Sequence, residues 1–415
     1  MIAELVCVGT ELLLGDTLNT NAQFLSKELA ALGINVYYQT VCGDNPARLR
    51  ETLALALSRS DLVITTGGLG PTYDDLTKET AAELLGLPME LHRPSLERIR
   101  AFFARRERTC TPNNEKQAMM PRGALVFDND YGTAPALCAG SGEKKIILLP
   151  GPPREMQGLW RDKVRPYLLQ FCDRVLVSQN IRLYGVGESA VEQRLKPLME
   201  RSENPTVAPY AKDGEVLLRV TASAETPDAA RELTEGPVRE IEELFGDAIY
   251  GVDVDSLWEV TVAVLRERGL RVATAESCTG GLLGSYITSV PGASDCFECG
   301  VITYANRVKE KLLGVLPETL AAHGAVSEET AREMAAGARA LSGADIAVSI
   351  TGIAGPGGGS EQKPVGTVYV ACDDGREVTV RHLVIGRGGN ERELVRKSAC
   401  LAALDLVRRA ALARD

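Results

Sequence analysis

A chain of 415 residues is longer than one ordinary hydrophobic core supports and predicts two or three domains. With 45% hydrophobic residues, 25% charged residues and a net charge of −10, it reads as a soluble globular protein. That balance lacks the basic footprint of a direct nucleic-acid binder or of a protein held on an anionic membrane. No apolar run approaches the ~20 residues of a membrane span, and the N-terminus shows no basic-then-apolar export pattern. The ten cysteines are therefore expected as reduced thiols in the cytoplasm. Cys296 and Cys299 form a lone C-x-x-C without a second pair or a nearby histidine, and read as strand cysteines rather than as half of a zinc site.

In chain order, residues 5–9 form a short apolar strand. Residues 21–32 form a helix with Ala22, Leu25, Leu29 and Leu32 on one face, ended by Gly33. Residues 34–41 are strand-like, Pro46 opens a Leu-rich helix, and residues 61–66 and 146–149 are buried strands. This alternation predicts an α/β domain with a doubly wound parallel sheet over residues 1–170. Glycine-rich loops follow three of its strands: Gly9-Thr10-Glu11, Gly67-Gly68-Leu69-Gly70-Pro71 and Pro150-Gly151-Pro152-Pro153. At the carboxyl edge of such a sheet these loops lie side by side, and their N–H groups can face phosphates.

Residues 171–254 change character. A strand at 175–183, a helix at 188–201, an alternating strand at 215–222 and a charged helix at 226–245 predict a small α+β domain. It is KH-like in outline but has no basic G-x-x-G loop, so a connecting or dimer-forming role is expected rather than RNA binding. Residues 255–415 predict a third, α/β domain. Its strands are placed at 270–275, 301–304, 345–351 and 366–371, and its helices include 307–313, one capped by Ser327, and a last helix opened by Asn390 with Glu393 as a capping box.

Ser277 sits at a strand-to-helix turn, where the first N–H groups of the helix are free and could face a developing oxyanion. None of the three histidines, His92, His323 and His382, offers a base beside a comparable strand end. Tyr304 ends a strand and Lys309 lies in the first turns of the next helix, so both can face a neighbouring strand end. A buried lysine loses its proton readily and can serve as base. Spacing alone leaves the bland alternative open, because a serine at a helix N-terminus is commonly only a cap. In the N-terminal domain Asp74 and Asp75 follow the residue 67–71 loop, as carboxylate ligands of a divalent cation at a diphosphate would, or as caps of the next helix.

Several longer blocks sharpen these readings. Ala275-Glu276-Ser277-Cys278-Thr279-Gly280-Gly281, Thr303-Tyr304-Ala305-Asn306 with Lys309, and Ser349-Ile350-Thr351-Gly352-Ile353-Ala354-Gly355-Pro356 through Lys363-Pro364-Val365-Gly366-Thr367-Val368 resemble the CinA family, in order across its C-terminal domain. That domain is also the nicotinamide mononucleotide deamidase PncC. The resemblance implies Ser277 as nucleophile, Lys309 as base and Tyr304 assisting proton transfer or orientation, with no cofactor. It places Thr279, Gly280, Gly281, Asn306, Thr351, Gly352, Gly355 and Arg392 around the substrate. Where relatives read Gly-Asp-Arg before the last helix, this chain has Asn390-Glu391-Arg392.

The first half resembles the molybdopterin-handling proteins MoaB and MogA, and more closely the N-terminal domain of the CinA family. The matching residues are Gly9 to Gly15 with Asn19 and Asn21, residues 67–77, Asn113-Asn114-Glu115-Lys116-Gln117-Ala118, Gly132-Thr133-Ala134-Pro135 and residues 150–156. This implies an ADP-ribose diphosphatase yielding AMP and ribose 5-phosphate with a divalent metal such as Mg²⁺. Asp74 and Asp75 would be the metal ligands, Glu11, Asn21, Gly67 and Gly68 would line the substrate, and Lys116 and Arg154 would meet its phosphates. Family resemblance also implies a homodimer. Two rival readings are a competence or DNA-damage accessory protein acting through partners, and a molybdopterin-binding module fused to an inactive domain.

Overall fold

The computed structural model describes residues 1–141, 144–212, 214–386 and 391–414. The chain forms two compact units, residues 1–178 with 222–233, and residues 179–221 with 234–415.

The first unit is built on a six-stranded sheet. Its strands are β1 (Ile2–Val8), β2 (Asn35–Cys42) and β3 (Leu62–Thr66), with β4 (Met89–Leu91) and β5 (Met119–Pro121) pairing apart as a ribbon. The remainder of the sheet is β6 (Leu125–Phe127), β7 (Ala136–Ser141) and β8 (Lys144–Leu149). The order is β2-β1-β3-β8-β7-β6. The expected parallel doubly wound arrangement holds for β2, β1, β3 and β8, whereas β7 runs against them and β6, antiparallel to β7, runs with them again. The reason is chain length. The links from β6 to β7 and from β7 to β8 are too short for a crossover helix and permit only hairpin pairing. Leu5, Ile64, Ile147 and Leu149 on one side of the parallel strands join Leu25, Leu29 and Trp160 in one apolar core, and Val6, Val63, Ile146 and Leu148 join Leu49 and Leu53 on the other. Both faces are covered, as a parallel sheet requires.

The KH-like middle segment forms a four-stranded sheet in the order β10-β11-β9-β12, from β9 (Val175–Tyr184), β10 (Thr206–Lys212), β11 (Glu215–Ala224) and β12 (Ile249–Val252). Helices Glu188–Arg201 and Pro227–Phe245 complete it. The last segment carries a five-stranded sheet, β14-β13-β15-β16-β17, from β13 (Val272–Glu276), β14 (Phe297–Ile302), β15 (Ile346–Gly352), β16 (Thr367–Asp373) and β17 (Val378–Val384). Strands β14, β13 and β15 are parallel, and β16 and β17 return antiparallel. Helix Arg392–Leu412 lies along one face, with Val395, Ala399, Ala402 and Ala403 buried against Val348, Ile350, Val368 and Val370. Asp405 on that helix is buried and takes Arg381, Arg408 and Arg409, so its charge is fully paired. The helix starts at Arg392 with Glu391 as its N-cap, which makes no side-chain cap bond, and the capping residue expected at Asn390 lies outside the described residues. Among the described residues no helix is long and apolar enough to cross a membrane.

Candidate functional site

In the last segment the parallel strands β13 and β15 end side by side, Glu276 opposite Ile350, and Ser277 N continues the ladder by donating to Ile350 O at 3.0 Å. The chain then turns sharply through Gly280 and Gly281, at φ +60° and +94°, which only glycine adopts without strain. This leaves the Ser277 side chain at the strand edge. Helix Asn306–Leu313 presents Lys309 to the same point: Lys309 is 1% exposed, and its Nζ lies 3.2 Å from Ser277 Oγ. The same Nζ donates to Thr303 O at 2.6 Å and Tyr304 O at 3.3 Å. Among the described residues no carboxylate pairs with it. Burial holds the Lys309 ammonium below its ordinary pKa. As an ammonium, Lys309 gives its three N–H groups to these three oxygens; as a neutral amine it would keep the two carbonyls and turn its lone pair to the serine hydroxyl.

A cleft of about 270 Å³ opens over this pair, lined by Ser277, Cys278, Tyr304 and Lys309 with Thr351, Gly352, Gly355 and Arg392. Tyr304 is 65% exposed at the rim. Thr351 is buried and donates Oγ1 to Ala325 O at 2.6 Å, and Arg392 donates to Gly355 O at 2.7 Å, so both brace the loop after β15. Thr279, Gly280, Gly281 and Asn306 do not line the cleft. Thr279 is buried with its carbonyl held by Arg396 at 2.7 Å, and Asn306 is exposed at the start of its helix. Lys363 donates to His323 O and Val326 O, both at 2.7 Å, and fastens the far side of the same glycine-rich loop.

In the first unit the loops after β1, β3 and β8 meet at the carboxyl edge. Asn21 donates to Thr66 Oγ1 at 2.8 Å and Gly151 O at 2.7 Å. Gly67 is at φ +105°, and a Cβ there would lie 2.1 Å from Val8 O, so the close approach of the first two loops requires glycine. Thr77 donates to Gly67 O at 3.0 Å. Lys116 donates to Asp75 O at 2.8 Å and pairs with Glu79 at 3.6 Å. Its segment is held from beneath by Lys78, whose buried Nζ donates to Gln117 O and Met119 O at 2.8 and 3.1 Å, and whose pKa burial pulls down to about 8. Asn21, Gly67, Gly68, Asp75 and Lys116 thus form one cluster. Glu11 and Arg154 are exposed and bonded to none of these residues. A separate cavity of about 520 Å³ lies between helix Arg93–Ala104 and residues 128–135, with Arg98, Arg105, Phe102 and Thr133 in its wall.

Compared with known proteins, the chain is 50% identical to a CinA-like protein of Kosmotoga olearia over 99% of both chains. It is 48% identical to a CinA-like protein of Dictyoglomus turgidum over 99% of this chain and 100% of the relative. The chain belongs to the CinA family.

Its parts match accordingly. Residues 254–411 match the "CinA C-terminal domain", residues 178–251 the "Damage-inducible protein CinA KH domain" and residues 4–170 the "Probable molybdopterin binding domain". The KH match stands although the sequence has no basic G-x-x-G loop, because the match covers the whole α+β unit.

In this CinA-family chain Asp74 and Asp75 do not cap the helix that follows them. Asp75 Oδ2 accepts from Thr72 N at 2.9 Å and from Thr72 Oγ1, and helix Thr77–Leu84 starts after Leu76 with no side-chain cap. A hydrogen bond from Thr72 also holds the Asp74 carboxyl below its ordinary pKa. Among the described residues no group of three or more His, Cys, Asp or Glu could hold a metal ion. A magnesium-type cation needs only one or two carboxylates when phosphate oxygens and water complete its shell. Asp74 and Asp75, adjacent and not fully buried, are compatible with a cation that arrives with a phosphorylated substrate.

One residue beside the nucleophile escaped the sequence reading. The free helix N–H groups expected beside Ser277 are not free: those of Gly281, Leu283 and Gly284 are taken by the Glu276 carboxylate. The available signal was a carboxylate ending an otherwise small and apolar strand, Val272–Glu276.

Proposed function

We propose that the chain is a bifunctional pyridine-nucleotide salvage enzyme. Its C-terminal cleft deamidates nicotinamide mononucleotide to nicotinate mononucleotide and ammonia, and its N-terminal crevice hydrolyses ADP-ribose to AMP and ribose 5-phosphate. The observation carrying the amidase reading is the buried Lys309 amine against Ser277 Oγ, with no competing carboxylate among the described residues.

Ser277 Oγ attacks the carboxamide carbon while its proton passes to Lys309 Nζ. Lys309 then protonates the departing nitrogen, ammonia leaves, and an acyl-serine remains. Water attacks the acyl carbon, giving its proton to Lys309, and the carboxylate product departs as Ser277 regains its hydrogen. Cys278, beside the nucleophile, does not compete, because burial pushes its thiol pKa up to about 11 and keeps it protonated at neutral pH.

For the diphosphatase, Asp74 and Asp75 would hold a divalent cation that neutralises charge on the diphosphate oxygens. Lys116, held by Asp75 O and Glu79, would turn to a phosphate oxygen when substrate binds, and the backbone of Gly67 and Gly68 would approach the diphosphate closely because neither carries a side chain.

Ammonia release from nicotinamide mononucleotide by the purified protein tests the first activity. AMP formation from ADP-ribose with added Mg²⁺ tests the second. No ammonia above the rate of a Ser277→Ala sample would overturn the amidase reading.

A further inference from the structure

Glu276 ends β13 immediately before the nucleophile and is 2% exposed. Both of its oxygens are spent on backbone. Oε2 accepts from Gly281 N at 2.9 Å and Leu283 N at 3.2 Å, and Oε1 accepts from Gly284 N at 2.9 Å. Helix Leu282–Thr288 would otherwise leave such groups unpaired, and its N-cap Gly281 has no side chain to serve them. Charge-assisted bonds of this kind are short and stiff, and three of them lock the turn to its strand.

The arrangement decides which amides can meet a reacting oxygen. Ser277 N is used by Ile350 O, Gly280 N by Ser277 O at 3.1 Å and Leu282 N by Thr279 O at 3.2 Å. With the three amides bound to Glu276, only Cys278 N and Thr279 N in the turn donate to no oxygen among the described residues, and the Cys278 N–H meets only its own sulfur, a weak acceptor that a developing oxyanion would displace. Cys278 lines the cleft with Ser277 and Lys309, whereas Thr279 does not.

We propose that the Cys278 backbone N–H is the oxyanion donor of this site, and that Glu276 is a positioning residue fixing the turn that presents it. The proposal rests on the amidase reading. When Ser277 Oγ bonds to the carboxamide carbon, the carbonyl π pair moves onto oxygen, and the Cys278 N–H receives that charge. The pair returns as the C–N bond breaks and ammonia leaves with the proton held by Lys309. Glu276 touches neither substrate nor the reacting atoms and acts only through the turn.

The test compares wild type, Glu276→Gln and Glu276→Asp on nicotinamide mononucleotide and on its thioamide counterpart, following ammonia and thermal unfolding. The glutamine turns one acceptor into an NH₂ facing an N–H, and the aspartate is one methylene too short to reach Gly284. Losing or misplacing an oxyanion donor costs about 10²–10³ in rate. Both variants should therefore lose about 10²-fold in kcat for the carboxamide, with KM changed less than about threefold and the pH midpoint unmoved. The thioamide, whose sulfur accepts hydrogen bonds poorly, should lose much less, so the preference for oxygen shrinks. Unchanged kcat in the variants, a loss confined to KM, or equal losses on the two substrates would overturn the proposal. Should Glu276→Gln not fold, Glu276→Asp, which keeps the charge, carries the same comparison. A wild type releasing no ammonia would instead sink the underlying amidase reading.

Discussion

Replacing Lys309 by methionine separates a catalytic lysine from a structural one, because the two roles predict opposite balances of activity and stability. Methionine is close in length and unbranched, so packing around the 1%-exposed side chain is kept. The variant forfeits the hydrogen bonds to Thr303 O and Tyr304 O, worth about 1.5–3 kcal/mol each when the donor is charged. It also removes an amine whose ammonium form is buried without a carboxylate partner, and that desolvation costs several kcal/mol. These terms oppose each other, so the net change in stability should lie within about 2 kcal/mol of zero. At about 2–4 °C per kcal/mol for a unit of this size, the unfolding transition should move by less than about 8 °C. Activity should fall by about 10²–10⁴-fold, the usual contribution of a positioned base. Parallel measurements of ammonia release and of the melting curve decide the matter. A lysine serving structure alone would show a melting point lowered by well over 10 °C, with activity lost only in proportion to the unfolded fraction, and that result would refute the reasoning.

Lys309 also sets a pH dependence. Its folded pKa is lowered, and the base must be neutral, so kcat/KM should rise with pH and level off below the ordinary lysine value near 10.5, whereas Lys309→Arg should stay inactive throughout. Between the lowered pKa and 10.5 the unfolded chain binds more protons, so stability should rise with pH across that window in urea titrations, a slope absent from Lys309→Met. Ser277→Ala should abolish ammonia release while ADP-ribose cleavage by the same sample continues, and residual amidase above about 1% would remove serine from the mechanism. Asp75→Asn should lose most AMP formation, most deeply at low Mg²⁺, while EDTA leaves ammonia release untouched; AMP formation indifferent to both treatments would place the cation elsewhere. Light scattering at micromolar concentration should give a homodimer mass, and a persistent monomer would contradict it.

Much of the fold was legible because the parallel strands carry unbroken apolar runs. Residues 61–66 and 146–149 read as buried strands, and 62–66 and 146–149 are buried strands, with Asp61 exposed just before the first. Strands β6 and β7 were not legible, being short and set in a stretch of glycine, aspartate and proline without alternation. Strand β14 was expected at residues 301–304 but runs from Phe297 to Ile302, because Glu298 and Gly300 on its exposed side interrupt the apolar pattern. In the site, local position raised Ser277 and Lys309 as candidates and left a helix cap open, and the family-like blocks sharpened them: 32 residues separate the two, and no local period reports a pairing made across neighbouring strand ends. The use of the turn's N–H groups by Glu276 was illegible for the same reason, since a carboxylate's partners depend on where the chain turns back.

The antiparallel return of β16 has a practical consequence for anyone labelling the protein. Strand β15 runs toward the cleft and ends at Gly352, so β16 starts at that edge and carries the chain away from it. The hairpin joining β16 to β17, with Gly375, Arg376 and Glu377 exposed, therefore lies at the opposite end of the sheet from Ser277. Exposed tips of small and polar residues accept insertions readily. An affinity peptide or a fluorophore attached there would travel with the C-terminal segment, report on its folding, and leave the entry to the cleft open.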